Sequence, residues 1–243
     1  MADGEYGNVH KGFLQMIMNY GSVSKAQAIE MFKHCLEKES PDDVENCSDN
    51  DLRSLIDEIN EVLNKLEQKI TIVRMEIEDE PEDFVVFCQT NESPVSKALT
   101  NEAEANYMKS LIEAIVQENN SSITMIRAIN LSTPFAASQA TSKKISKTRA
   151  QELIDEWKIV GYFISDDDVV SLGPRTIGEF GEILRDKFPD YVWGCHLCKQ
   201  ISTKPLICPK SNCDTALDKW CAKKHLQKHK KCPKCRTAWE FEE

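Results

Sequence analysis

Apolar residues recur at three- and four-residue spacing from the start of the chain. Val9, Phe13, Leu14, Ile17 and Met18 fall on one face of a helix, and Gly21 predicts its end. Ser24 stands where it can cap a second helix whose Ile29, Phe32 and Leu36 share a face. Pro41 to Asn50 is polar and acidic and reads as a loop. A third stripe follows in Leu52, Leu55, Ile56, Ile59, Val62, Leu63 and Leu66. At about two heptads it is short for a coiled coil and predicts a core face instead. The period then changes. Lys69 to Ile77 is rich in β-branched residues and Phe84 to Cys88 is apolar, with Pro81 among acids between them. That pattern predicts a β-hairpin with a polar turn over 78–83. Three helices and then a hairpin is the order of a winged helix.

The order recurs without a sequence repeat. Asn101 with Glu104 three residues on resembles a capping box ahead of Met108, Leu111, Ile112 and Ile115. Ser121 or Ser122 predicts the cap of a short helix carrying Ile123, Ile126 and Ile129, and 131–144 reads as a Ser/Thr/Ala-rich loop. A helix over about 146–158 turns Ala150, Leu153, Ile154 and Trp157 inward and ends at Gly161. Tyr162 to Ile164, then acidic Asp166 to Asp168, then Val169, Val170 and Leu172 predict a second hairpin. Ile177, Phe180, Ile183, Leu184 and Phe188 mark a last amphipathic helix. The expected fold class is mainly α with small β-hairpins: tandem winged helices at 1–92 and 93–190, then a zinc-binding, RING-like cross-brace at 191–243.

Charge sharpens this division. The net charge is −10, but residues 1–190 hold 19 Lys/Arg against 35 Asp/Glu, while 191–243 hold 11 against 5. An acidic body disfavours phosphate backbones, which need Lys and Arg to displace counterions, so protein partners are expected for it. Lys143, Lys144, Lys147, Arg149 and Lys158 accompany the third helix of the second unit, but Glu152, Asp155 and Glu156 share that helix. DNA is therefore expected to be touched only weakly or through an assembly, although the basic tail suits nucleic acid or an acidic protein face. No run approaches the ~18–20 apolar residues of a membrane helix, and the first ten residues lack the basic and apolar stretches of a signal peptide. An intracellular protein without membrane contact is the expectation.

Cysteine usage is the sharpest chemical signal. Seven of the 10 cysteines lie between Cys195 and Cys235, in the pattern Cys195-x2-Cys198-x9-Cys208-x4-Cys213-x7-Cys221-x10-Cys232-x2-Cys235. A C-x2-C turn offers two thiolates to one tetrahedral zinc, and two such turns bracketing a middle set suit two zinc ions with interleaved ligands. In a cross-brace, Cys208, Cys213, Cys232 and Cys235 fill one site, while Cys195, Cys198 and Cys221 leave the other a ligand short. Asp218 and His225 can each complete it. Register favours Asp218, three residues before Cys221; donor chemistry favours His225, one helical turn after it. A module of about fifty residues needs such metal to fold at all, and fully protein-ligated ions leave no open position for metal-catalysed chemistry.

Nearly the whole chain resembles the non-SMC element 1 family, the winged-helix and RING subunit of the structural-maintenance-of-chromosomes 5/6 complex. The resemblance rests on Val9–Gly21 (VHKGFLQMIMNYG), Met31–Cys35 (MFKHC), Leu55–Ile70, Glu152–Ile164 (ELIDEWKIVGYFI), Leu172–Phe180 (LGPRTIGEF) and the zinc pattern. It implies tandem winged helices docked on a MAGE-domain subunit with a kleisin subunit nearby. It also implies a nuclear role in DNA repair, and ubiquitin-ligase activity raised by the MAGE partner. Two departures stand out: Asp218 occupies the family's His slot, and the second thiol pair is spaced x4 rather than x2.

A RING ligase forms no covalent intermediate; it orients a ubiquitin-charged conjugating enzyme. Leu197, Trp220, Leu226, Pro233 and Arg236 are the candidate contacts for that enzyme, with Leu197, Trp220 and Leu226 serving equally well as a small core. The alternative is a non-catalytic scaffold whose zinc domain only stabilises the assembly. A histone-reading PHD module is disfavoured, because the position two before Cys232 holds Lys230 rather than an aromatic residue.

Overall fold

The computed structural model describes residues 6–39, 41, 44, 47–77, 80–90, 101–118, 120–133, 145–166 and 168–241. The architecture mixes helix and strand. Helix α1 (Asn8–Tyr20) ends at Gly21, which takes φ of 72°. The positive φ turns the chain out of the helix there, and glycine is also required because a Cβ at this position would lie 2.5 Å from the Arg175 guanidinium. A three-residue strand, β1 (Ser22–Ser24), leads into α2 (Lys25–Glu39). The sequence pattern predicted no strand there. Helix α3 (Asp49–Leu63) starts at a capping box in which Ser48 accepts from the Asp51 N–H and Asp51 accepts from that of Ser48. After a 3-10 turn (Asn64–Leu66) come β2 (Gln68–Ile77) and β3 (Glu80–Gln89).

Residues 80–83, expected in the turn, belong to β3: the ladder runs from Gln68 opposite Gln89 to Ile77 opposite Glu80. The reason is a cross-strand ion pair. Arg74 faces Asp83 across the ladder, with Nε 2.8 Å from Oδ1, and this extends pairing through an acidic stretch. The Asn60 side chain pins the start of the hairpin, accepting from the Ile70 N–H at 2.7 Å and donating to its carbonyl at 2.8 Å. The sheet order is β1-β3-β2.

The second unit repeats the arrangement: α4 (Glu102–Val116), β4 (Ser122–Thr124), α5 (Met125–Asn130), α6 (Lys147–Ile159), β5 (Phe163–Asp166), β6 (Val169–Leu172) and α7 (Pro174–Lys187). Its sheet order is β4-β6-β5. Thr124, not Ser121 or Ser122, caps the short helix. Because 122–124 is extended rather than helical, Ile123 points inward while Ile126 is 74% exposed. Asn101 caps α4 through the Ala103 N–H, and Glu104 binds Arg149 rather than closing a capping box. Arg149 also pairs with Glu152 and Glu156, so the acids of α6 occupy its main cation.

The β2–β3 hairpin serves two cores. Ile70, Val85 and Phe87 face α1–α3, whereas Val73, Val86 and Cys88 face the second unit, as the two-residue period of a strand dictates. A Cβ at Gly178 of α7 would lie 2.8 Å from Cys88 Sγ. Beside this contact, Arg175 pairs with the buried Glu179 carboxylate, which also accepts from the Tyr162 hydroxyl at 2.8 Å.

The C-terminal module holds two small ladders, β7 (Trp193–Gly194) with β8 (Ile201–Ser202) and β9 (Leu206–Ile207) with β10 (Ala216–Leu217), followed by α8 (Lys219–His229). Leu217, Ala222, Leu226 and Trp239 form its core among the cysteines. Several contacts seat it on the body, and Val192 is buried in the second unit's core. Ile201 lies 2.9 Å from where a Gly181 Cβ would be. Ser121 Oγ donates to the Thr203 carbonyl at 2.9 Å, and Gln200 Nε2 donates to that of Ile72 at 3.3 Å. Among the described residues, no helix is long and apolar enough to cross a membrane.

Candidate metal centres

Two turns of the same design supply four of the candidate ligands. In Cys195–Cys198 the Lys199 N–H returns to the Cys195 carbonyl at 2.9 Å; in Cys232–Cys235 the Arg236 N–H returns to that of Cys232 at 3.1 Å. The residue after each turn is left-handed, Lys199 at φ of 65° and Arg236 at 62°. This tight return points the paired sulfurs the same way, which is what a shared ion requires.

The remaining cysteines close two groups. Cys208, Cys213, Cys232 and Cys235 converge with their sulfurs within 4.8 Å of one another, and Cys195, Cys198, Asp218 and Cys221 do the same with three sulfurs and a carboxylate oxygen. The sets interleave along the chain, first pair with third and second with fourth. In the first set named, Cys208 and Cys235 sulfurs are 3.6 Å apart and those of Cys213 and Cys232 are 3.8 Å apart. A tetrahedral zinc with Zn–S of about 2.3 Å spreads its sulfurs about 3.8 Å, so this donor set fits that ion. Threonines stand beside it: Thr215 Oγ1 lies 3.2 Å from Cys213 Sγ and Thr237 Oγ1 lies 3.3 Å from Cys235 Sγ. Sequence reasoning missed both, although a repeated Cys-x-Thr (213–215 and 235–237) carries the signal.

Asp218 is the N-cap of α8. One carboxylate oxygen accepts from the Cys221 N–H at 2.9 Å while the other lies 3.0 Å from Cys198 Sγ. A carboxylate has two oxygens, so it can cap the helix and face the thiols together. His225 lies elsewhere: its Nε2 is 3.1 Å from the Lys231 carbonyl and its ring packs on His229.

Crowding shifts the acidities of the cluster members in both directions. Burial pushes the Cys198 thiol up to about 12, with the Asp218 carboxylate adding to the rise, and burial pushes Cys208 up to about 12. Burial and the same carboxylate raise Cys221. Cys235 falls to about 6 because the Thr237 hydroxyl and amide hydrogen-bond its sulfur. Burial alone would raise the Asp218 carboxyl, but the Cys221 N–H and the three thiols hold it below the usual carboxylate range. Crowded thiols resist ionising together unless a cation joins them.

A model of the family described as the Nse1 non-SMC component of the SMC5-6 complex matches residues 10–180. The chain belongs to the Nse1 family. The non-structural maintenance of chromosomes element 1 homolog of Drosophila melanogaster is 30% identical over 190 residues, 77% of each chain. The Homo sapiens homolog is 24% identical over 239 residues, covering 97% of this chain and 85% of its own. The fold is similar to that of a chain in a solved Nse1-Nse3-Nse4 complex, with a TM-score of 0.75 and 22% identity over 99% of this chain and all of that one. The Nse1 family match ends before the metal clusters, whereas the human homolog extends through them.

In this Nse1-family chain the remaining predicted site residues separate by exposure. Leu197 is 41% exposed and Trp220 38%. Arg236 is exposed, Pro233 half-buried. Leu226 is buried within the module. Trp220 lines a cleft of about 1030 Å³ between the module and the body, shared with Met75, Pro81 and Phe241.

Proposed function

We propose that this chain is the RING-type E3 ubiquitin ligase subunit of an SMC-type complex that acts in DNA repair in the nucleus. The reading rests above all on the two interleaved four-donor clusters, carried by a chain of the Nse1 family. Each cluster would hold one zinc ion, with Asp218 rather than His225 as the fourth ligand of the first centre. All positions around the ions would be filled by the protein, so zinc would supply structure rather than a reactive water.

The two units, each three helices and a three-stranded sheet with α7 added to the second, are read as winged helices over 1–92 and 93–190, and the cross-brace as 191–243. The solved relative is in a complex with Nse3 and Nse4. A MAGE-domain subunit docked on the winged helices, and a kleisin subunit, are the partners proposed here.

The proposed chemistry is orientation. A conjugating enzyme charged with ubiquitin would rest on exposed Leu197, with Trp220 and Pro233 at the border and Leu226 supporting the surface from beneath. The left-handed backbone at Arg236 holds its cation out from the turn, where it can meet both enzyme and ubiquitin. Holding the thioester in an attack-ready geometry accelerates transfer to lysine without a covalent step on this chain.

One observation favours a second reading. The module is seated on the body through Ser121, Gln200 and Ile201, as a purely structural cap would be. A reconstituted ubiquitin-chain assay decides, run with a panel of conjugating enzymes, with and without a MAGE-domain partner. Chains that disappear with Leu197→Ala and Arg236→Ala establish the ligase. No chains from a partner-bound protein holding two zinc ions establish the scaffold.

A further inference from the structure

The first centre carries a charge problem that the second solves locally. With a carboxylate in place of an imidazole, three thiolates and one zinc become one unit more negative. The second centre has the Thr215 and Thr237 hydroxyls beside its sulfurs. The first centre lies instead against the body, and what borders it there is a cation from a distant part of the chain.

Arg74, in the middle of β2, lines the cleft that contains Cys198 and Gln200 and also the cleft that contains Asp218 and Trp220. One side chain therefore lines both clefts that donors of the first centre line, Cys198 in one and Asp218 in the other. Its Nε and Nη2 reach Asp83 at 2.8 and 3.3 Å, but Asp83 also takes Lys25 at 3.3 Å, and Lys25 and Arg53 share Asp49. Three cations thus share two carboxylates in this relay, which leaves it one positive charge in excess; Lys204, Lys219 and Lys223 line the Asp218 cleft as well, against Glu80 and Asp166. Asp57 and Lys69, which line the Cys198 cleft, offset one another in charge. The hydrogen bond to Asp83 raises the Arg74 pKa first, and the negative fields of Cys198 and Asp218 raise it further.

We propose that Arg74 is the outer-sphere cation of the first zinc centre: it offsets the extra negative charge that Asp218 brings, and so couples zinc retention there to the seating of the module on the first hairpin. Outer-sphere partners of metal ligands commonly change affinity by about 10- to 100-fold. The Gln200–Ile72 and Ser121–Thr203 hydrogen bonds hold the module where Arg74 can act. A module lifted off the body loses that cation and holds the first ion more loosely, while the second ion is unaffected. This rests on the zinc reading above.

The test is zinc release from the full chain to excess chromogenic chelator, resolved into two phases, with total metal measured by mass spectrometry. Asp218→Ala identifies the first-centre phase by removing it. Arg74→Met is expected to speed that phase about tenfold and leave the other unchanged, and Arg74→Lys much less. On an Asp218→Cys background, which keeps the charge, the tenfold effect persists; on Asp218→His, which removes it, the effect falls to about twofold or less. Wild-type release rates in Arg74→Met overturn the proposal, as does equal acceleration on the Cys and His backgrounds, which would make Arg74 a packing residue. If Asp218→His does not load metal, the contrast between Arg74→Lys and Arg74→Met decides, and equal release from those two overturns it. Wild-type protein with well under two zinc ions sinks the zinc reading as well; two ions and unmoved rates sink only the role of Arg74.

Discussion

The cluster of Cys208, Cys213, Cys232 and Cys235 is built wholly inside the C-terminal module, and three of its four donors are buried. The cluster of Cys195, Cys198, Asp218 and Cys221 buries only Cys195 and lies against the first hairpin. The first of these is a self-contained staple. The second is a joint, whose charge balance and seating draw on residues outside the module. Under the zinc reading proposed above, the same ion chemistry would be put to two uses, one holding a small domain together and one tied to where that domain sits.

Removing the metal should break the comparison most severely. Structural zinc contributes on the order of 10 kcal/mol in small domains, so a strong chelator is expected to unfold 191–241 while the body keeps its own cooperative transition. Amide exchange by mass spectrometry reads this directly, and a module still protected after both ions are gone would make zinc dispensable. Next in size are the Asp218 variants. Asp218→Ala removes a ligand and the α8 cap, the cap alone being worth about 1 kcal/mol. Asp218→Asn keeps the cap and weakens the ligand. Both are expected to lose one ion of two, with helix content falling further in Asp218→Ala; a full complement of metal in either would return His225 to contention.

A smaller effect is pH dependence at the hairpin that supports the joint. Burial would raise the Asp83 carboxyl, but Arg74 and Lys25 more than offset this and hold it below its ordinary range. A depressed carboxyl contributes stability that is full above its unfolded value, about 3.9, and lost as pH falls through the folded one. Stability of the body is therefore expected to drop below about pH 4, and to do so less steeply in Asp83→Asn by urea titration. Identical slopes would remove Asp83 from the joint. The smallest effect is expected from His225→Ala, which loses one partly exposed hydrogen bond, at most about 1 kcal/mol, and should keep both ions by metal analysis.

The grouping of the cysteines into two clusters was legible because C-x2-C spacing has few uses and the interleaved order left little freedom. The fourth ligand was not, since register and donor preference pointed to different residues; what separates them is the Asp218 cap geometry, which exists only once α8 has formed. Strands β1 and β4 escaped the pattern because SVS and SIT are too short to show a period and their hydroxyls mimic helix caps. The reach of β3 through 80–83 depends on Arg74 meeting Asp83 across the ladder, a pairing fixed by strand register rather than by the apolar pattern, which is silent in this acidic stretch. That Arg74 lines the same clefts as Cys198 and Asp218 is not legible in the sequence either, since more than a hundred residues separate them along the chain.

The doubly used hairpin also has a mechanical meaning. Val73, Val86 and Cys88 are almost completely shielded by the second unit, while the opposite face of the same strands is shielded by the first. Neither unit can tilt without tearing apolar contacts from the other, so the body transmits torque as one piece. A partner that grips α1–α3 thereby aims α7 and the module riding on it, and a chain cut after residue 92 would bare a greasy sheet face and be recovered as aggregate.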